Sequence, residues 1–209
     1  MKKQIIEMLT LQSRMNEKVN PDWMIAGYPW HIAIWIECAE LMDHYGWKWW
    51  KRQEPDIEQV KLELVDIWHF GLSQIISSEF IVTAETLLED FELAIKEVNL
   101  DPEPFLSYIE YIAHDALNDH SFDRCSFFRA MLSIGMTLEE LYKLYIGKNV
   151  LNFFRQDSGY KDGTYVKVWD GKEDNVHLME LLKTMSGKED DFQTVLSNKL
   201  SELYKTIRS

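Results

Sequence analysis

The sequence predicts an all-α protein. Apolar residues recur at helical spacing through most of the chain, and glycines and prolines gather in short breaks between those runs. Only residues 155–173 combine three glycines with no helical period. At 209 residues and 46% hydrophobic, the chain has enough apolar material for one proper core, which excludes global disorder.

The elements follow in order. The opening segment KKQIIEMLTLQSRMNEKV places Ile5, Ile6, Met8, Leu9, Met15 and Val19 at roughly helical intervals. NPDWMIAGYPW then breaks the helix with Pro21, Gly27 and Pro29. A second helix is expected from about His31 to Tyr45, ending near Gly46. Nearly every position from Ile32 to Met42 is apolar, which predicts burial. KRQEPD is a turn, and Pro55-Asp56 opens a third helix through IEQVKLELVDIWHFGLSQIIS. Further helices are expected over 80–98, 103–119, 121–134 and 137–154, the last with a capping box at Thr137 and Glu140. Helices at about 174–185 and 189–207 finish the chain, and no internal repeat is visible.

Charge narrows the function. Thirty-five acidic against 22 basic residues give −13, which repels a nucleic-acid polymer. A small polyanion stays possible if metal ions or a local basic patch offset that charge. Cys38 and Cys125 supply neither a disulfide framework nor zinc spacing, and Cys38 reads as a small buried thiol. Residues 23–42 come nearest to a membrane span, but Pro29, His31, Glu37 and Glu40 break it. Glu7 and Gln12 interrupt any signal-peptide core, so a soluble, intracellular protein with no membrane partner is expected.

Two acidic pairs stand out. Glu37 and Glu40 are three apart on the second helix, and Glu63 and Asp66 repeat that spacing on the third. Antiparallel packing of the two helices would bring four carboxylates face to face. Unpaired and buried, they would be costly or protonated, and hard divalent cations such as Mg²⁺ resolve this. The bland alternative is that these acids face solvent or pair with lysines. A di-iron site is the sharper rival, because Asp66 and His69 imitate half of a Glu-x-x-His pattern. The second such motif is missing, since Glu110 and His114 are four apart, and oxygen-only ligation favours magnesium.

The stretches ECAEL…GWKWWK, ELVDIWHF and YIGKNVLNFFRQDSGYKDGTYVKVWDGKEDN closely resemble the dimeric, all-α dUTPase family, relatives of the MazG-type nucleotide pyrophosphatases. LQSRMN is similar to that family's N-terminal motif. The matching motifs run from residue 11 to 175, with nothing similar between 77 and 135. The resemblance implies a helical bundle of the all-α nucleotide pyrophosphatase type, with a mobile helical subdomain and a C-terminal basic loop. Core helices would occupy about 1–76 and 137–154, an insert about 77–135, a substrate-closing loop about 155–173 and C-terminal helices 174–207. It implies a cytoplasmic homodimer that hydrolyses dUTP and dUDP to dUMP with two or more Mg²⁺ ions per site. Glu37, Glu40, Glu63 and Asp66 would be the ligands, with Glu40, ahead of Glu37, as general base. Some phage relatives of the same fold also hydrolyse dCTP, and a non-catalytic helical interaction or metal-binding protein is the alternative of a different class.

The remaining parts fit that frame. Gln12 and Asn16 are one turn apart, and side-chain amides complement the O4, N3–H and O2 edge of uracil. The resemblance puts Phe70 against the base and His69 near the sugar. Between Lys143 and Lys172, six basic residues oppose three aspartates, a local +3 in an acidic chain. Lys148, Asn152, Arg155, Tyr160, Lys161 and Lys167 are the expected phosphate-binding set, on a segment expected to be loose without substrate. A solvated charge run, or a hairpin turning at Asp162-Gly163, is the alternative. Trp47 and Trp50 in GWKWWK suit a dimer contact or an active-site rim.

Overall fold

A computed structural model of the chain describes residues 1–78, 81–100, 103–185 and 192–208, and these form an all-α fold with one two-stranded hairpin. The helix starts expected at 80 and 189 lie outside the described residues. Helix α1 (Lys2–Val19) turns its apolar stripe inward through Ile5, Met8, Leu11 and Met15. Helix α2 (Trp30–Tyr45) stops at Gly46, whose φ of 91° needs the left-handed freedom of glycine. An added Cβ there would also meet Gln53 Cβ at 2.9 Å. Helix α3 (Ile57–Ser77) starts on Asp56, whose carboxylate accepts from Gln59 N at 3.2 Å.

Of the two central helices, only α3 is buried as its sequence suggests. Helix α2 buries only Ile34, Cys38 and Leu41, one stripe packed against α3 and α5. Ile32, Trp35 and Ile36 stay about two-fifths exposed, and Glu40 is exposed. The expected all-round burial of α2 is therefore corrected: its neighbours cover one side only. Helix α3 is the buried one, with neighbours on α1, α2, α6 and α7 and Trp68 at its centre.

Helices α4 (Ala84–Leu100), α5 (Phe105–Asn118) and α6 (Arg124–Ser133) make up the stretch without recognisable motifs. They pack on each other and on the frame, α4 against α1, α5 against α2 and α6 against α3. Trp68 carries much of this contact, stacking on Phe127 at 4.9 Å and meeting Phe128 at 5.4 Å. The insert thus shares the core instead of forming one of its own.

Helix α7 (Leu138–Asp157) is capped by Thr137, whose hydroxyl accepts from Glu140 N at 3.1 Å. It runs three residues past its expected end and takes Arg155 into its last turn. Strands β1 (Val168–Trp169) and β2 (Lys172–Glu173) pair antiparallel and turn at Asp170-Gly171, not at Asp162-Gly163. Asp170 and Gly171 have φ of 46° and 76°, the pattern of a two-residue hairpin turn. Most of 155–173 stays exposed or half-buried, and one residue anchors it. Trp169 is fully buried, bonds Val166 O at 2.8 Å, and stacks on His177 of α8 (Asp174–Thr184). Tyr204 of α9 (Phe192–Arg208) stacks on Tyr165. Among the described residues no helix is long and apolar enough to cross a membrane.

Gly71 faces the insert at its closest point. An added Cβ would lie 2.3 Å from Phe122 Cε1, and that ring is confined by Trp68 and Phe127. Better helix propensity returns at most about 1 kcal/mol to alanine, whereas overpacking costs about 1–3 kcal/mol. Gly71→Ala is expected to lower the urea midpoint; a midpoint at or above wild type would show that the ring has room to move.

Candidate active site

The α2–α3 contact gathers three of the four expected carboxylates. Glu37, Glu63 and Asp66 each offer an oxygen, all within 4.8 Å of one another. Glu63 is buried, and Glu37 and Asp66 are half-buried. Burial, then the charges of Asp66 and Glu63, pushes the Glu37 carboxyl up to about 9. Burial and Asp66 also raise Glu63, against the opposing pull of Lys148. Glu40 stands at the solvent edge outside this group, though its charge acts on both Glu37 and Glu63. Crowded hard oxygens with surplus negative charge are the donor set a Mg²⁺-type cation takes, so the residues present fit such an ion.

A buried cation already faces the acids. Lys148 is 2% exposed, with Nζ 2.7 Å from Asp66 Oδ2 and 3.1 Å from Asn175 Oδ1. Without a metal it is the resident counter-ion of Asp66. Full burial of an amine is tolerated only with such a partner.

A cavity of about 350 Å³ opens from Glu37 and Asp66 and brings together Gln12, Asn16, His69, Phe70, Asn152, Arg155 and Tyr160. Lys161 and Lys167 are elsewhere: Lys161 donates to Val19 O at 3.0 Å, and Lys167 pairs with Glu173 at 3.1 Å. Trp47 and Trp50 meet edge to face at 5.1 Å, exposed and outside the cavity lining. A larger groove of about 780 Å³ between α1, α7 and α9 holds none of the acids, and its Arg14 and Lys18 are balanced by Glu17 and Asp157.

The end of the cavity away from the acids is neutral. Gln12 Nε2 donates to Asn16 Oδ1 at 3.1 Å and to Ser73 Oγ at 2.9 Å. Gln12 Oε1 lies 2.6 Å from His69 Nδ1 and 3.0 Å from the Tyr145 hydroxyl. Burial holds the His69 imidazole down to about 4 despite the pull of Asp66. The ring is therefore neutral, with its hydrogen on Nδ1 facing the Gln12 oxygen and Nε2 left as a bare acceptor without a partner. Asn16 Nδ2 donates to Ser73 at 2.9 Å, which leaves one amide hydrogen and one lone pair for a ligand. Gln12 is consumed by the scaffold, and Asn16 is the amide it presents.

Several residues here carry no signal that the sequence reading used. Ser73 is fully buried at the node of the amide network, and Tyr145 stacks on His69 at 4.2 Å. Trp23, Tyr28 and Trp30 wall the cavity, with Trp30 facing Phe70 at 6.3 Å and 29° between planes. Three aromatics within eight residues, two in a loop bounded by prolines and one just after it, was the available clue. Asp174 lies in the last quoted motif, but nothing there marks its partners. It is fully buried and takes Arg155 Nε and Nη2 on its two oxygens, both at 2.8 Å, and the Tyr165 hydroxyl at 2.7 Å. Burial alone would raise its carboxyl, but the Arg155 hydrogen bonds and charge prevail and hold it below the usual carboxylate range.

A family model described as dUTPase matches residues 4–160. No curated protein matches the chain. The family match covers every carboxylate of the cluster and the cavity, and stops short of the hairpin, Asp174 and α8.

Asp174 generates a stability test. A carboxyl held below its unfolded value, about 3.9, contributes stability above that pH and loses it as pH falls through the folded value. Removing one partner of a buried pair costs about 3–5 kcal/mol. Asp174→Asn should therefore lower the urea midpoint strongly at pH 7, and the gap to wild type should narrow as pH falls below about 4. A gap that is constant with pH would show that the charge contributes nothing.

Proposed function

The chain belongs to the all-α dUTPase family, and from that premise we propose that it hydrolyses dUTP, and dUDP, to dUMP with the help of two or more Mg²⁺ ions in the cytoplasm. The observation that carries this reading is the polarity of one cavity. Crowded carboxylates lie at one end, and a neutral, amide- and aromatic-lined pocket lies at the other. A nucleotide has the same two ends. Glu37, Glu63 and Asp66 hold the cations, with Glu40 at their outer edge. Bound magnesium would neutralise phosphate oxygens and acidify a water.

The chain's own residues do the rest. Asn16 offers its remaining hydrogen and lone pair to the uracil edge, held in place by Ser73 and Gln12. Phe70 and Trp30 wall the base, and His69 restricts the room beside the sugar, against a 2′-hydroxyl. Asn152, Arg155 and Tyr160 line the approach of the phosphates, with Lys148 buried beside Asp66. Phosphate oxygens give Lys148 an alternative partner to Asp66, which frees that carboxylate for a cation. Glu40 takes the proton of the attacking water as the link between the α- and β-phosphates breaks, and its exposed position lets the proton pass to solvent.

Incubation with dUTP and Mg²⁺ should release pyrophosphate, and excess EDTA should abolish the reaction. Glu63→Gln should cut turnover by several orders of magnitude while the protein stays folded, because a neutral isostere relieves repulsion in the cluster. Undiminished activity in EDTA would overturn the metal-dependent reading. Asn16→Ala should narrow the preference for dUTP over dCTP by the loss of a buried hydrogen-bond partner, about 1–3 kcal/mol. Unchanged discrimination would mean that uracil is read elsewhere.

The homodimer rests on α2. Its exposed Ile32, Trp35 and Ile36, followed by exposed Trp47, Trp49 and Trp50, make an apolar side that a second copy would cover. Sedimentation should give a two-chain mass for wild type and a one-chain mass for Trp35→Lys combined with Ile36→Asp. A monomeric wild type at micromolar concentration would remove the dimer.

A further inference from the structure

We propose that His44 supplies a nitrogen ligand to an outer cation position, shared with Glu63 and Glu40, so that the two metal positions of this site are chemically unequal. The inference rests on the metal-dependent reading above. Glu37, Glu40 and His44 fall at i, i+3 and i+7 on α2, one stripe running from half-buried Glu37 past exposed Glu40 to partly exposed His44. His44 Nε2 lies 3.7 Å from Glu63 Oε1. Two donors of one cation approach each other about this closely.

Glu63 has the capacity to serve two positions. A carboxylate carries two oxygens and about four lone-pair sites. One Glu63 oxygen belongs to the trio with Glu37 and Asp66, and lone pairs remain toward His44. Glu40, one turn before His44, acts electrostatically on Glu63 and is the carboxylate left outside the inner trio. The imidazole is about 41% exposed, so an arriving ion can reach it, while the Glu63 side chain is 8% exposed and fixed. The backbone beneath His44 is also held: its carbonyl accepts from Asp56 N at 3.0 Å, and the turn at Gly46 follows directly. The other imidazole near the acids, His69, is buried, and the variant below separates the two, because a signal from His69 would persist in His44→Gln.

A nitrogen donor changes which ion the position prefers. Mg²⁺ holds to oxygen ligands, whereas later first-row divalent ions gain affinity from imidazole. The outer position therefore favours Mn²⁺ and Co²⁺ over Mg²⁺, and the inner, all-oxygen position discriminates less.

The test uses the full chain without substrate. Mn²⁺ is titrated in and counted from the free-ion paramagnetic signal, and the bound ion is examined by pulsed electron paramagnetic resonance for coupling to ¹⁴N. Wild type should bind two Mn²⁺ per chain and show imidazole nitrogen modulation, which changes to the ¹⁵N pattern when histidine is ¹⁵N-labelled. His44→Gln should keep one Mn²⁺ and lose the modulation, and its preference for Co²⁺ over Mg²⁺ should fall roughly tenfold or more. The wild-type measurement stands whether or not the variant folds. Bound Mn²⁺ without nitrogen modulation in an enzyme that hydrolyses dUTP would overturn the proposal alone, leaving His44 as an ion-pair partner of Glu63. Modulation that persists in folded His44→Gln would overturn it as well. Failure of wild type to bind Mn²⁺ at all would overturn both this and the metal-dependent reading.

Discussion

The central constraint at the α2–α3 contact is the repulsion between Glu37, Glu63 and Asp66. Three acids whose oxygens lie within 4.8 Å are not all ionised comfortably in a half-buried cleft, and Glu37 keeps its proton up to about 9 as a result. Helix α3 has to be buried on every side to present Glu63 and Asp66 rigidly, and so α1, α2, α6 and α7 all pack against it. Lys148 is the countermeasure the fold carries within itself. Its amine lies against Asp66 and offsets part of the charge that the acids crowd together.

The neutral end follows the opposite logic. His69 is buried strongly enough to stay uncharged, so the donors and acceptors around Gln12, Asn16 and Ser73 do not rearrange with pH over the physiological range. Gln12 and Ser73 are committed on every side, which holds the remaining hydrogen and lone pair of Asn16 in one orientation. Arg155 is treated likewise. Its guanidinium is pinned at two points by Asp174, so Arg155 faces the cavity already oriented instead of as a free side chain.

The helices and the acidic pairs were legible because both are local properties: a 3.6-residue period and an i, i+3 spacing. What lay outside reach was non-local. Helix α2 is apolar all round, and nothing in its residues says which side meets the core and which looks outward; packing by α3 and α5 decides that. The chain has two Asp-Gly pairs, at 162–163 and 170–171, equally suited to a hairpin. Burial of Trp169 and its stacking on His177 select the second. Ser73 and Asp174 look ordinary in sequence because their partners are far away along the chain, Gln12 by 61 residues and Arg155 by 19. The expected pairing of Gln12 with Asn16 was correct as contact, but spacing alone did not show that one amide would be absorbed by the scaffold.

Trp30 is the first residue of α2, and Glu37 is the seventh after it. Both line the same cavity, so one uninterrupted helix serves as a ruler between the aromatic end and the acidic end. Seven residues of helix rise about 10 Å, and that interval is set by backbone hydrogen bonds instead of loop conformation. On the proposed reading, that interval selects a ligand by length as well as by chemistry. A single inserted residue between these marks would lengthen the ruler by only about 1.5 Å, yet would swing Glu37 about 100° round the helix axis. The calibration tolerates substitution and forbids insertion.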